Sequence, residues 1–312
     1  MWTGIVLKLI SAFVFTMMSA MVRAVSQEVP IGQIVFARNF FALVPVLFWF
    51  AINRELTRAL LPTSYTNHIK RSVLGVASMC FGFSALAYLP LPDATIIGYA
   101  SPLLAVVFAV IVLSERVRFY RWTAVFIGLI GVGIILGPKL AGGALLAVFQ
   151  GGGEGAATGL GAILSLCGAI CGAGAAIQIR RLVQTEHTAT IVIFFSLFSS
   201  LLGLATLPFG WIMPSPRVAL LLVGIGVAGG IGQVLMTRAY WHADASLIAP
   251  FEYTTILWAV ALGWILFGDV PTSSVVLGGS IVISSGLYVA LREHRMGINR
   301  LKARSVTPPP ST

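Results

Sequence analysis

Ionisable side chains are so scarce in this sequence that each one inside an apolar run stands out. Glu252 is the sharpest case, because a charge at the centre of a membrane helix costs at least ~2.5–3.5 kcal/mol on insertion scales. It lies about seven residues into an apolar run, roughly 10 Å deep at ~1.5 Å per residue, and two residues after Pro250. A carboxylate in a low-dielectric site favours its protonated form, so it could carry a proton or meet a substrate amine. A structural hydrogen bond to a neighbouring helix is the competing reading. Arg38, about five residues into another run, offers a planar fork suited to a carboxylate or phosphate. From that depth it could equally reach lipid headgroups. Lys8 lies near the end of its run, where snorkelling is the simpler reading.

Uncharged polar and aromatic groups add to this set. Gln233 and Thr237 share a helical face and could bind a ligand or bond to another helix. Ser78 and Gly82 permit close packing and equally leave room for a flat ligand. Tyr99, Tyr253 and Trp258 lie deep enough to line a cavity, whereas Tyr88 and Tyr240 stand at run ends, where interface belts form. Pro102 and Pro250 fall at similar depths in two runs. A proline there removes a backbone donor and can bend the helix, so both are hinge candidates.

Enzyme and metal signatures are missing from the sequence. There is no Gly-x-Ser-x-Gly elbow, Walker loop or His-Glu-x-x-His, and Gly151–Gly155 lacks the Lys and Ser/Thr of a phosphate loop. The three cysteines, Cys80, Cys167 and Cys171, lie in apolar runs as small packing residues. His68, His187, His242 and His294 fall in loops or at run ends, as solvated groups without metal-ligand spacing. No metal, cofactor or nucleic-acid partner is expected; homodimerisation stays open.

The elements that must position these residues follow from composition. Of 312 residues 58% are hydrophobic and 10% charged, with a mean hydropathy of +0.95, against about a quarter charged in soluble domains. The apolar runs are continuous rather than alternating, which excludes an outer-membrane barrel and leaves an all-α membrane protein. About 20 apolar residues make a crossing. Ten such runs fall near 2–24, 33–53, 71–90, 93–114, 119–137, 157–181, 187–209, 217–241, 245–268 and 272–291. The first lacks the basic leader of a secretory signal and is read as a retained span. The net charge of +10 sorts by location. Fifteen of the 20 basic residues, among them Arg54, Arg58, Lys70, Arg71, Arg116, Arg118, Arg180 and Arg292, fall on one side. Arg23, Lys139 and Arg217 fall on the other. That bias predicts cytoplasmic termini.

A repeat divides the chain into a first half at 1–141, a Gly-rich connector at 142–156, a second half at 157–292 and a basic, Pro-rich tail at 293–312, expected to be disordered. Ala87-Tyr88 recurs as Ala239-Tyr240, and Ser114-Glu115 as Gly268-Asp269, at nearly one offset. The stripe Gly75, Ser78, Gly82, Ala85 resembles Gly226, Gly230, Gln233, Thr237. Five spans per half is an odd number, so the second half must insert upside down. Inverted repeats of this kind underlie alternating access around a central site.

The ten spans, the stretch Phe36-Ala37-Arg38-Asn39-Phe40-Phe41, Ser101-Pro102-Leu103 leading to Ser114-Glu115-Arg116, and Pro250-Phe251-Glu252-Tyr253 leading to Phe267-Gly268-Asp269 resemble the EamA family of the drug/metabolite transporter superfamily. The resemblance covers roughly residues 1–292. It implies two inverted five-helix repeats around a central cavity lined by spans one, three, four, six, eight and nine. The first half is similar to an α-proteobacterial branch that includes riboflavin carriers. The expectation is therefore a multi-pass carrier of the bacterial inner membrane that moves a small-molecule substrate by alternating access, with protons as a candidate coupling ion. Riboflavin or a similar aromatic heterocycle moving inward stands first. Export of amino acids or related metabolites stands second, and a passive facilitator third.

Overall fold

Hydrocarbon offers no water to backbone N–H and C=O groups, so each apolar run must close its hydrogen bonds within itself, and a helix does so. The computed structural model describes residues 2–54, 62–115, 117–141, 148, 155–242 and 245–306, and among these it holds helices and no strand. The first three spans are Trp2–Val25, Ile31–Ile52 and Tyr65–Leu86, followed by Leu91–Leu113 and Phe119–Leu140. The second half supplies Ala156–Leu182, Thr188–Leu204, Pro216–His242, a ninth span ending at Phe267, and a tenth beginning at Ser273. Most of the Gly-rich connector, Arg58, Arg116 and the Pro-rich end from 307 lie outside the described residues.

Nine of the ten spans are long and apolar enough to cross a membrane, and the seventh, with 17 residues, is shorter. It was expected to reach residue 209. Instead Thr206 Oγ1 donates to the Gly203 carbonyl, and the chain turns into a short 3-10 segment at Leu207–Phe209 around Pro208. Two further boundaries depart from expectation. Span three begins at Tyr65, earlier than 71, which takes Arg71 out of the loop and into the helix. The last helix continues to Val306, where disorder was expected after Arg292. Residues 293–306 contain no proline to stop it and are rich in good helix formers.

Spans four and nine are each interrupted. Span four breaks between Leu91–Gly98 and Ala100–Leu113; Pro102 lacks the N–H that would bond to Gly98, four residues back. Span nine runs from Ala245–Ile248 through a 3-10 segment at Ala249–Tyr253, which contains Pro250, into Thr254–Phe267. Both spans end in a left-handed cap, Ser114 at φ 53° and Gly268 at φ 70°. The next amides reach back six residues, Glu115 N to Ala109 O at 3.2 Å and Asp269 N to Gly263 O at 3.0 Å. The closure passes through a left-handed residue in each case, is made twice, and turns each acidic residue back against the bundle.

Packing follows the inverted repeat. Span one lies on span eight as span three lies on span six, while spans two and seven, four and nine, and five and ten each pack on their own counterpart. Small residues set the approach distances, as expected where lipid removes the hydrophobic drive between helices. A Cβ on Gly75 would collide with Phe195, and one on Gly226 with Phe41, so the two stripes open with the same contact. Ser11 Oγ donates to the Gly232 carbonyl at 2.9 Å, joining spans one and eight. Ser78 Oγ donates to the Gly168 carbonyl at 2.8 Å, joining spans three and six. The repeat makes Ser11 equivalent to Gly168 and Ser78 equivalent to Gly232, so two equivalent crossings between the halves are each fastened by a serine of the first half and a glycine carbonyl of the second.

Spans five and ten meet most closely at Gly131 and Gly278, where a Cβ on Gly131 would stand 2.7 Å from the Gly278 carbonyl oxygen. Gly133, two residues on, faces open space. Gly131→Val should therefore destabilise the purified protein by about 1–3 kcal/mol, read as a lowered thermal midpoint in detergent. Gly133→Val should leave it nearly unchanged.

Candidate functional site

Among the described residues, two cavities lie between spans of both halves, one toward the near end, where spans one and three begin, and one toward the far end. The near cavity, of about 460 Å³, is enclosed by spans two, three, six, seven and eight and reaches Val183, Thr188 and Tyr240 at the near face. The far cavity, of about 210 Å³, lies between spans one, three, four and six. Along span three the near cavity takes in Arg71 and the far one begins at Ser78, about 10 Å further at ~1.5 Å per residue. The volume of the near cavity falls in the range of small-molecule sites. The lining expected from spans one, four and nine is absent from it, and spans two and seven take their place.

Of the residues singled out by sequence, the structure brings Arg38, Gln233 and Thr237 to the near cavity and Ser78 to the far one. Thr237 Oγ1 donates to the Gln233 carbonyl at 2.8 Å. Arg38 is 7% exposed, which removes the headgroup reading. Its Nη1 donates to Asn39 Oδ1 at 2.9 Å, and its guanidinium carbon lies 5.9 Å from the centroid of Phe195. Arg71, counted by sequence among the loop charges, stacks on that same ring at 3.6 Å. Two glycines make the space: a Cβ on Gly75 would meet Arg71 Nη1 and Phe195, and one on Gly229 would stand 3.3 Å from Arg38 Nε. The spacing of Arg71 and Gly75, one helical turn apart, is a sequence signal that could have placed Arg71 on an inward face.

Gly82 joins Ser78 at the far cavity and Tyr240 joins the near one, whereas Tyr99, Tyr253, Trp258 and Glu252 line neither. Tyr99 and Tyr253 stack on one another with centroids 5.0 Å apart and planes at 25°. They stand at the breaks of spans four and nine, at the same offset as Glu115 and Asp269, so equivalent residues touch and the two-fold relation passes between them. Tyr99 Oη also donates to the Glu252 carbonyl at 2.7 Å and contacts Thr255 Oγ1. Trp258 packs edge-on against Phe13 at 5.0 Å. These aromatic groups fasten helices instead of lining a cavity.

Two further expectations are corrected. Lys8 is 2% exposed and donates to Glu252 Oε2 at 2.9 Å; snorkelling is replaced by an ion pair, because the bilayer end of span one is covered here by span nine. Lys8 Nζ also lies 5.6 Å from the Tyr240 ring, which brings the pair beside the near cavity. His68 is buried, not solvated, with Nε2 3.4 Å from Glu186. The same carboxylate accepts from Thr63 N and Ser64 N at 2.7 and 3.0 Å, closing the start of span three.

The two ends of the bundle are fastened by equivalent ion pairs of unequal quality. At the far end Asp269 accepts from both Nη atoms of Arg23 and from Leu91 N at 3.2 Å, and Arg23 lies 4.3 Å from the Phe267 ring. Lys139 and Asp93 pair alongside. At the near end Glu115 takes the place of Asp269, and Arg180, two residues from the end of span six, takes that of Arg23. They meet at 3.3 Å. Side-chain exposure is 19% and 10% at the far pair, 45% and 43% at the near pair.

A ten-span helical bundle of inverted halves, broken fourth and ninth spans and a cavity that holds two arginines define a multi-pass membrane transporter. The model of the EamA-like transporter family matches residues 2–137 and 159–291, and the chain belongs to this family. It is 27% identical over 282 residues to the pseudopaline exporter CntI of Pseudomonas aeruginosa, covering 90% of this chain and 93% of that protein. It is 29% identical over 224 residues to a riboflavin transporter of Vibrio cholerae, covering 71% and 70%. A solved crystal structure shares the fold at a TM-score of 0.61 and 18% identity, covering 93% of this chain and 98% of that one.

Breaking the far pair with Asp269→Asn should destabilise the fold by about 3 kcal/mol, the lower end of the effect of stranding one partner of a buried pair, since this pair is partly buried. Glu115→Gln, at an exposed pair, should change it by about 0–1 kcal/mol. Thermal unfolding of the two variants side by side checks the difference.

Proposed function

We propose that the chain is an alternating-access carrier of a small organic metabolite in a bacterial inner membrane, with both termini on the cytoplasmic side. The observation that carries this reading is the inequality of the two equivalent ion pairs. Arg23–Asp269 is largely enclosed and doubly bonded at the far end, whereas Glu115–Arg180 is exposed and singly bonded at the near end, beside the larger cavity. In a molecule of inverted halves, exchanging the two geometries exchanges the open side. The described state is then sealed outside and accessible from inside. Tyr99 and Tyr253, meeting across the two-fold, form the fulcrum, and the breaks beside Pro102 and Pro250 supply the hinges.

Glu252 is the candidate coupling group. Its side chain is 47% exposed, while its partner Lys8 is buried. Protonating Glu252 breaks the pair and leaves a buried ammonium uncompensated, which ties proton uptake to movement of span nine against span one.

Two substrate readings have specific support. Riboflavin or a related flat heterocycle moving inward is favoured by the relative in Vibrio and by the aromatic wall at Phe195. Export of an amino acid or related metabolite is favoured by the two arginines facing the near cavity and by the relative in Pseudomonas. Reconstitution into liposomes, with and without an imposed pH gradient, tests the carrier reading: a coupled carrier accumulates its solute uphill, whereas a facilitator only equilibrates it. Glu252→Gln should lower gradient-driven accumulation and abolish its pH dependence. Full transport with an unchanged pH profile would remove Glu252 from the mechanism.

A further inference from the structure

We propose that the near cavity binds its solute through an oxyanion, a carboxylate or phosphate held between Arg38 and Arg71, with the apolar body of the solute lying along Ile179, Val192 and Met236. The carrier reading makes this space the transport site; the oxyanion assignment rests on the cavity itself.

A census of charge inside the bundle points there. Lys8, Arg23, Lys139 and Arg180 each have a carboxylate partner, respectively Glu252, Asp269, Asp93 and Glu115. Glu186 is engaged by His68 and by the amides that open span three. Arg38 and Arg71 make no ion pair with any described carboxylate. Among the described residues, Arg38 Nε, Arg71 Nε and Arg71 Nη1 are buried and have no hydrogen-bond partner. Buried donors of this kind are rarely left unmet, since each forfeits its bond to water without replacement.

The pair is also electrostatically unfavourable by itself. Both guanidiniums lie within 5.9 Å of one phenyl ring, so two like charges share a desolvated space. One anion between them relieves the repulsion and supplies acceptors for the open donors. Arginine suits this, because its planar fork binds carboxylate and phosphate through two parallel bonds. Phe195 holds the plane of Arg71 from below, and Gly75 and Gly229 leave room for both side chains. The rest of the lining is largely apolar, with Ala42, Val46, Ile179, Ile191, Val192 and Met236, which suits an organic body better than an inorganic ion. Arg71 stands in the second turn of span three, so an anionic lipid headgroup shares the required chemistry; the proposal commits to a dissolved solute.

The test uses the full-length protein, purified in neutral detergent and freed of lipid, with thermal unfolding as readout. Probes come in matched pairs: phenylacetate with phenylacetamide, glutarate with glutaramide, and riboflavin 5′-phosphate with riboflavin. At least one anion should raise the unfolding midpoint and its neutral partner should not. Arg38→Gln and Arg71→Gln should each weaken the apparent affinity about 10- to 100-fold. Arg71→Lys, which keeps the charge and loses the fork, should fall between wild type and Arg71→Gln, and it serves where a Gln variant does not fold. Absence of a shift with every anion, equal shifts from neutral partners, or shifts that survive both arginine substitutions overturn the proposal. A shift produced only by added phosphatidylglycerol overturns it in favour of a lipid site. Binding is read here without flux, so anion stabilisation in a protein that never accumulates solute overturns the carrier reading alone. Uphill movement of a neutral solute with no anion stabilisation overturns the oxyanion site alone.

Discussion

Charge has nowhere to hide in hydrocarbon, and the organisation of this bundle depends on that constraint. Each ionisable group within the spans must find an opposite charge, reach an interface or face a polar space. Lys8 meets Glu252 and joins spans one and nine; Arg23 meets Asp269 and joins the same two spans at the other end. Span nine is thus tied to span one at both ends by bonds that differ in burial. Lys139 and Asp93 tie span five to span four. Arg38 and Arg71 are left over, and both face the larger cavity. Structural pairing therefore delimits the site by subtraction.

The inverted repeat turns this pairing into a mechanism. Symmetric halves would give two equal gates, and the molecule would have no preferred state. Here the equivalent pairs differ: aspartate, short and enclosed, at one end, and glutamate, longer and half exposed, at the other. The caps that carry them differ as well, Gly268 adopting its left-handed conformation freely and Ser114 adopting it against the usual preference of a residue with a Cβ. The contact of Tyr99 with Tyr253 is shared by both halves and so can persist while the ends exchange.

Much of the fold could be read from the sequence, because span length, charge bias and an odd number of spans per half are consequences of the bilayer. The site was legible only in part. Arg38, Gln233 and Thr237 were found because polar groups inside apolar runs are rare. Arg71 was missed because span three starts with a polar turn, Tyr65–Arg71, that hydropathy assigns to the loop. Lys8 and Glu252 were both noticed, yet 244 residues separate them, and nothing local in either run reports a partner so distant. Tyr99, Tyr253 and Trp258 were expected to line a cavity; the tyrosines pack on one another and the tryptophan packs on Phe13. Depth follows from position along a run, while facing follows from which neighbour packs on it. Span two is not among the lining spans that the family resemblance implies, but Gly226 and Gly230 bring it close to span eight and Arg38 faces the cavity.

The two hydroxyls carry a genetic consequence. Ser11 and Ser78, both in the first half, each fasten a crossing to a glycine carbonyl of the second half, Gly232 and Gly168. Recombination that copied the first half over the second would set serine against serine at both crossings; the reverse copy would set glycine against glycine and remove both fastenings. Neither product keeps one hydroxyl per crossing. Once the halves had diverged in this way, they were complementary parts of one gene and no longer interchangeable copies.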